Sequence, residues 1–142
     1  MLKVNDQDFL RLAIQVGNTQ EEPRNFGAVI VKDGQVIASD CNHVHDNHDP
    51  TAHAETSAIR LAAKKLNTHN LEGCTMYGSH EPCLMCFSCA VWARIDRIVY
   101  AEAANEQGFT YEFEGVSIKE LAGRLTRYPV IIEHIPVIDL KP

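Results

Sequence analysis

The chain has 142 residues, with 13 Lys and Arg against 19 Asp and Glu, so its net charge is −6 at neutral pH. Apolar residues make up 45 % and charged residues 23 %, the balance of an ordinary soluble globular protein with one core. No apolar run approaches membrane-spanning length, and the acidic balance disfavours a long phosphate backbone as partner. Residues 1–142 are read as a single domain. The opening Met1–Asp6 lacks the apolar core of a signal peptide, so a cytoplasmic address is expected. The basic residues that come closest to clustering, Arg94 with Arg97 and Arg124 with Arg127, are scattered.

Asp6 to about Val16 reads as a helix, with Asp6 as N-cap and Phe9, Leu10, Ala13, Ile14 and Val16 as an apolar stripe. Gly17-Asn18 ends it. Ala28–Val31, the Asp33-Gly34 pair and Val36–Ala38 read as a hairpin, because Asp-Gly supplies the two positive φ angles of a tight turn. Asn42 to Pro50 is polar and reads as a loop. Thr51 to Leu66 reads as a helix with an alanine-rich face. Cys74–Tyr77 is a short strand, Cys83–Ala93 a helix preceded by Pro82, and Ile98–Ala101 a strand. Asn105 to Glu114 reads as a loop, Ser117 to about Leu125 as a short helix and Val130–Ile132 as a final strand. Alternating strands and helices after the hairpin predict an α/β fold: a mixed sheet with helices on both faces.

Five cysteines are present, three of them, Cys83, Cys86 and Cys89, within seven positions. An odd, crowded set does not read as a disulfide framework; metal ligands or buried thiols fit better. Cys83 and Cys86 are three apart and share one helix face. Both sit in a first turn, where unpaired N–H groups and the helix dipole favour thiolates. His53, opening the preceding helix, would complete a three-ligand site whose fourth tetrahedral position stays open, as in catalytic zinc centres. Glu55 lies two residues on, roughly 200° around the helix, so it is not read as a ligand to the same metal. It suits a proton shuttle between a water at the open position and the substrate.

The order His53-Ala54-Glu55, then Pro82-Cys83-Leu84-Met85-Cys86, is the signature of zinc-dependent nucleobase deaminases. It implies hydrolysis: water replaces an exocyclic amino group, and Glu55 carries protons to the ring nitrogen and the departing ammonia. A purely structural zinc site is the rival reading. It would recruit Cys89 as a fourth ligand and leave Glu55 without a role. Cys41, Cys74 and Cys89 otherwise read as packing thiols. His43, His45 and His48 read as a solvated polar loop, with a second metal or a pocket rim as the minority reading. Trp92 reads as core or interface.

At these residues the chain resembles the cytidine and deoxycytidylate deaminase superfamily, from the N-terminus to about Thr110. Asp49–Glu55 and Glu81-Pro82-Cys83 are common to bacterial guanine deaminases and tRNA-specific adenosine deaminases. Phe26–Gly34 and Trp92-Ala93-Arg94 lean toward guanine deaminase. Val130–Pro142 does not resemble the aromatic tail that closes the pocket in those enzymes. The resemblance implies a five-stranded mixed sheet in a three-layer α-β-α sandwich, bound Zn2+ and a homodimer. It implies that Phe26 packs on the base, that Asn42 hydrogen-bonds its edge, and that the Ala54 backbone N–H faces its oxygen. His80, next to the metal motif, is an added pocket-wall candidate. The expected activity is deamination of guanine or a related aminopurine, a small-molecule substrate. The alternatives are a tRNA adenosine deaminase, which would bind RNA in a salt-sensitive way, and a non-catalytic zinc module.

Overall fold

The computed structural model describes residues 5–19, 25–104, 113 and 115–138. In chain order the elements are α1 (Asp6–Gly17), β1 (Gly27–Lys32), β2 (Gln35–Cys41), α2 (Val44–Asn47), α3 (Ala54–Leu66), β3 (Cys74–His80), α4 (Leu84–Trp92), β4 (Arg97–Glu102), α5 (Ile118–Ala122) and β5 (Ile131–His134). The strands form one sheet in the order β2-β1-β3-β4-β5. β1 pairs antiparallel with β2 and β3, whereas β3–β4 and β4–β5 are parallel. This is the mixed sheet expected from the sequence.

β1 shows why both faces are covered. Its residues Gly27–Val31 are all buried, yet successive side chains point to opposite faces. Ala28 and Ile30 join Ala54, Ala58, Ala62, Phe87 and Ala90 on the face packed by α3 and α4. Val29 and Val31 join Phe9, Leu10, Ala13, Tyr77 and Val99 on the face packed by α1. A central strand without a polar alternation therefore signals helices on both sides.

The Asp33-Gly34 turn has φ of 51° and 75°, the two positive values of a type I′ hairpin. Gly27 permits a closer contact. A Cβ there would lie 1.9 Å from the Ala13 carbonyl oxygen and 2.5 Å from the Gly17 nitrogen. α1 thus rests directly on the start of β1 and fixes where Phe26 enters the sheet.

The cap of α1 differs from expectation by one residue. Asn5, not Asp6, is the N-cap: its Oδ1 accepts the Asp8 N–H at 3.1 Å, and Asp8 Oδ2 accepts the Asn5 N–H at 3.3 Å. Asp6 is engaged elsewhere. It accepts two bonds from Arg97 at 2.8 and 2.7 Å and one from the Tyr77 hydroxyl at 2.6 Å. Arg97 Nε donates to Glu133 at 2.6 Å, so this network ties α1, β3, β4 and β5 together. Arg97, above all, holds the Asp6 carboxyl below its ordinary 3.8. A depressed carboxylate stabilises the fold above its unfolded pKa, and that contribution disappears as pH falls through its folded value. Asp6→Ala is therefore expected to cost about 2 kcal/mol at neutral pH. The cost should shrink toward zero in acid below 3.8, as read by urea unfolding at both pH values.

Other boundaries also shift. The helix expected from Thr51 begins at Ala54, because His53 is an extended N-cap with φ −68° and ψ 165°. The loop expected over 42–50 contains the single turn α2. The loop expected at 105–114 lies outside the described residues except for Phe113.

Candidate metal centre and active site

The site begins with two helix starts. His53 is the N-cap of α3 but makes no capping bond with its side chain. The Thr56 hydroxyl donates to the carbonyls of Thr51 and His53 and ties down the entry to the helix. The His53 imidazole, not used for capping, lies against the start of the neighbouring helix. Cys83 is the N-cap of α4, with φ −72° and ψ 173°, and Cys86 follows one turn later.

His53 Nδ1 lies 3.5 Å from Cys83 Sγ and 3.4 Å from Cys86 Sγ. All three donor atoms lie within 4.8 Å of one another. Two sulfurs and one imidazole nitrogen form a soft-to-borderline donor set that suits zinc. The three donors come from rigid helix starts, so the residues present fit the metal. The fourth ligand required by a structural site is not supplied by Cys89, which is absent from this donor group. Cys89 packs against the α3–α4 core, and burial raises its thiol pKa.

The electrostatics of the cluster follow from crowding. The Cys86 thiol, the His53 ring and the Cys86 N–H all stabilise a Cys83 thiolate, which is pulled down to about 4. Cys86 is pushed far up by its bond to Cys83 and by burial. One proton is thus shared across the two sulfurs, and a divalent cation would displace it. Glu55 is 8 % exposed. Burial pushes its carboxyl up to about 7, against partial relief from its own backbone N–H, His53 and the Cys86 thiol. A carboxyl poised near neutral pH both takes and gives protons.

The sheet register brings the segments carrying Phe26, Asn42 and His80 to one end of the sheet. Gly27 pairs with Cys41 and His80 with Glu102. The start of β1 and the carboxyl ends of β2, β3 and β4 therefore lie along one rim, from which the chain leads into α3 and α4. Carboxyl strand ends are where open α/β sheets bind ligands. Phe26 and His80 meet edge to face, with ring centroids 4.7 Å apart at 75°. Ala54 is fully buried in the first turn of α3. Asn42 Oδ1 accepts the Val44 N–H at 3.1 Å, which makes it an Asx-type turn former.

Two residues not singled out in the sequence complete the rim. Ser79 Oγ accepts the Gly27 N–H at 3.0 Å and donates to His80 Nδ1 at 2.8 Å. His80 Nε2 donates in turn to Glu102 at 3.0 Å. Burial lowers the His80 pKa, against the opposing pull of Glu102. With Ser79 on one ring nitrogen and Glu102 on the other, the His80 ring is held as a brace for Phe26. The only advance signal for Glu102 was its position at the end of a strand run.

Trp92 is 81 % exposed, which leaves interface rather than core of its two expected places. His45 and His48 are exposed, as a solvated polar loop requires, whereas His43 is half-buried and bonds to Asp40 and Asp46; His48 caps α2 in a left-handed conformation.

Residues 3–102 match the sequence profile of the cytidine and deoxycytidylate deaminase zinc-binding region. The chain belongs to this deaminase family. The deaminase is 43 % identical to the guanine deaminase of Bacillus subtilis over 116 residues, 78 % of this chain and 74 % of that protein. The solved structure of that enzyme superposes with a TM-score of 0.70 at 34 % identity, covering 98 % of this chain and 87 % of the other. The tRNA-specific adenosine deaminase of Aquifex aeolicus is 39 % identical over 102 residues, 70 % of this chain and 68 % of that protein. A solved tRNA:A34 deaminase, studied for A-to-I editing at the wobble position, superposes with a TM-score of 0.75 at 30 % identity, covering 89 % and 91 % of the two chains. The five-stranded sheet and its flanking helices are thus those of cytidine-deaminase-like folds. The deaminase is a zinc-binding hydrolase by family, and His53, Cys83 and Cys86 are the residues that could hold its metal.

Proposed function

We propose that this deaminase acts on a free purine base, guanine first, releasing ammonia and leaving a carbonyl in place of the amine. The observation that carries the reading is the Phe26–His80 edge-to-face pair at the end of the sheet, with His80 three residues before Cys83 in the chain. It offers an aromatic wall on which a planar base can stack. The 43 % identity to a guanine deaminase supports it, as does the net charge of −6, which repels a phosphate backbone.

His53, Cys83 and Cys86 would hold zinc, which when bound supplies a Lewis acid that activates water. Glu55 is the general base and acid. It accepts one proton of the attacking water and passes it to a ring nitrogen, then accepts the second from the added hydroxyl and delivers it to the leaving amine as the C–N bond breaks. Phe26 packs on the base, with His80 bracing it from the side. Asn42 hydrogen-bonds the polar edge of the base. The Ala54 backbone N–H, at the positive end of α3, faces its oxygen.

Exposed Trp92 and Met85, both on α4, would lie in the homodimer interface implied by the family. Among the described residues no helix is long and apolar enough to cross a membrane. The second reading, tRNA adenosine deamination by base flipping, is favoured by the TM-score of 0.75 to a tRNA:A34 deaminase.

Ammonia release from guanine, guanosine, adenine, adenosine, cytosine, cytidine and an anticodon stem-loop separates these readings. The expected result is turnover of guanine or a close aminopurine, with no retention of the stem-loop at low salt. Turnover of the stem-loop alone would replace this reading with the second.

A further inference from the structure

We propose that Asp40, Cys41 and His43 form a second site for a divalent, borderline-soft cation such as Zn2+, separate from the His53–Cys83–Cys86 centre. The three donor atoms lie within 4.8 Å of one another, the same criterion met by the first centre. His43 Nε2 is 2.5 Å from Asp40 Oδ1 and 3.8 Å from Cys41 Sγ. One imidazole, one thiolate and one carboxylate are each ordinary zinc donors, and together they carry two negative charges to a dication.

The orientation of His43 argues further for a metal. Its Nδ1 lies 2.7 Å from Asp46 Oδ2. A carboxylate on one ring nitrogen is the arrangement that orients metal-binding histidines, leaving the other nitrogen for the metal. The donors are held on the backbone side as well. Cys41 ends β2 in register with Gly27, Asp40 Oδ1 accepts the Cys41 N–H at 2.8 Å, and the His43 N–H donates to the Ala52 carbonyl at 2.9 Å. Side-chain exposures of 28 % for His43 and 20 % for Asp40 leave the cluster reachable from solvent. Without a cation, both carboxylates hold the His43 ring and raise its pKa. The site brackets Asn42, the residue between Cys41 and His43.

Equilibrium dialysis of the full chain against buffered free Zn2+, with zinc counted per chain, tests the proposal. The expected result is two zinc ions in the wild type and one in Cys41→Ser and in His43→Gln. Asp46→Asn should weaken the second ion by about 10-fold. Cys83→Ser should retain zinc at the second site. Far-ultraviolet circular dichroism checks that each variant is folded, and the two independent loop variants guard against one failing to fold. One zinc ion in the wild type, or two in folded Cys41→Ser at the same free zinc, would overturn the proposal.

Discussion

Glu55→Gln is expected to lower kcat by about 10³-fold while leaving the zinc content unchanged. The substitution keeps the size and burial of the side chain, and Gln cannot exchange a proton. Glu55 is buried beside Cys86, with its carboxyl pushed up to about 7 by burial. Ammonia release and zinc per chain, measured on the same preparation, check both halves of the statement. The same variant has a second signature in chelated, metal-free protein. A carboxyl raised from 4.5 to about 7 stabilises the fold fully below its unfolded value, and that contribution is lost as pH rises through the folded one. The metal-free wild type should therefore weaken relative to Glu55→Gln across that window. The difference should approach the order of 3 kcal/mol, read by urea unfolding from acid to neutral pH.

Removing the metal is expected to end turnover altogether and to destabilise the fold. Chelation, or Cys83→Ser, takes one soft donor or the ion from a three-donor set, and no fourth protein donor belongs to that group among the described residues. Binding to the native state alone stabilises it by about 4 kcal/mol when free zinc exceeds Kd a thousandfold. The melting temperature should fall on chelation and recover on zinc return. Cys83→Ser should lose zinc on dialysis from the first centre. Full activity after exhaustive chelation would contradict the role assigned to His53, Cys83 and Cys86.

The parts of the fold legible in the sequence were those with local causes. Asp33-Gly34 demands a hairpin because only such residues accept both positive φ angles cheaply. His53, Glu55, Cys83 and Cys86 were legible because their chemistry depends on spacing at two helix starts. Asp6 reads as the N-cap of α1, but it is taken by Arg97, whose partner choice depends on β4 lying beside α1, a fact of tertiary packing. The Ser79–His80–Glu102 chain was invisible for the same reason: it exists only once β1, β3 and β4 come into register. Trp92 reads as core or interface from hydrophobicity alone, and only its place on α4 in the folded chain, where it is exposed, decides against core. By composition His43 reads with His45 and His48 as a solvated loop, whereas at the N-cap of α2 it bonds to Asp40 and Asp46.

The central claim is that the metal centre and Glu55 together deaminate a free aminopurine. The most direct measurement is ammonia release from guanine by zinc-loaded wild type and by Glu55→Gln, with zinc counted in both. The account expects xanthine and ammonia from the wild type, about 10³-fold less from the variant, and equal zinc. Equal release from both proteins would remove Glu55 from the mechanism. Silence on every free base, with deamination of an anticodon stem-loop, would contradict the assignment of a free-base substrate.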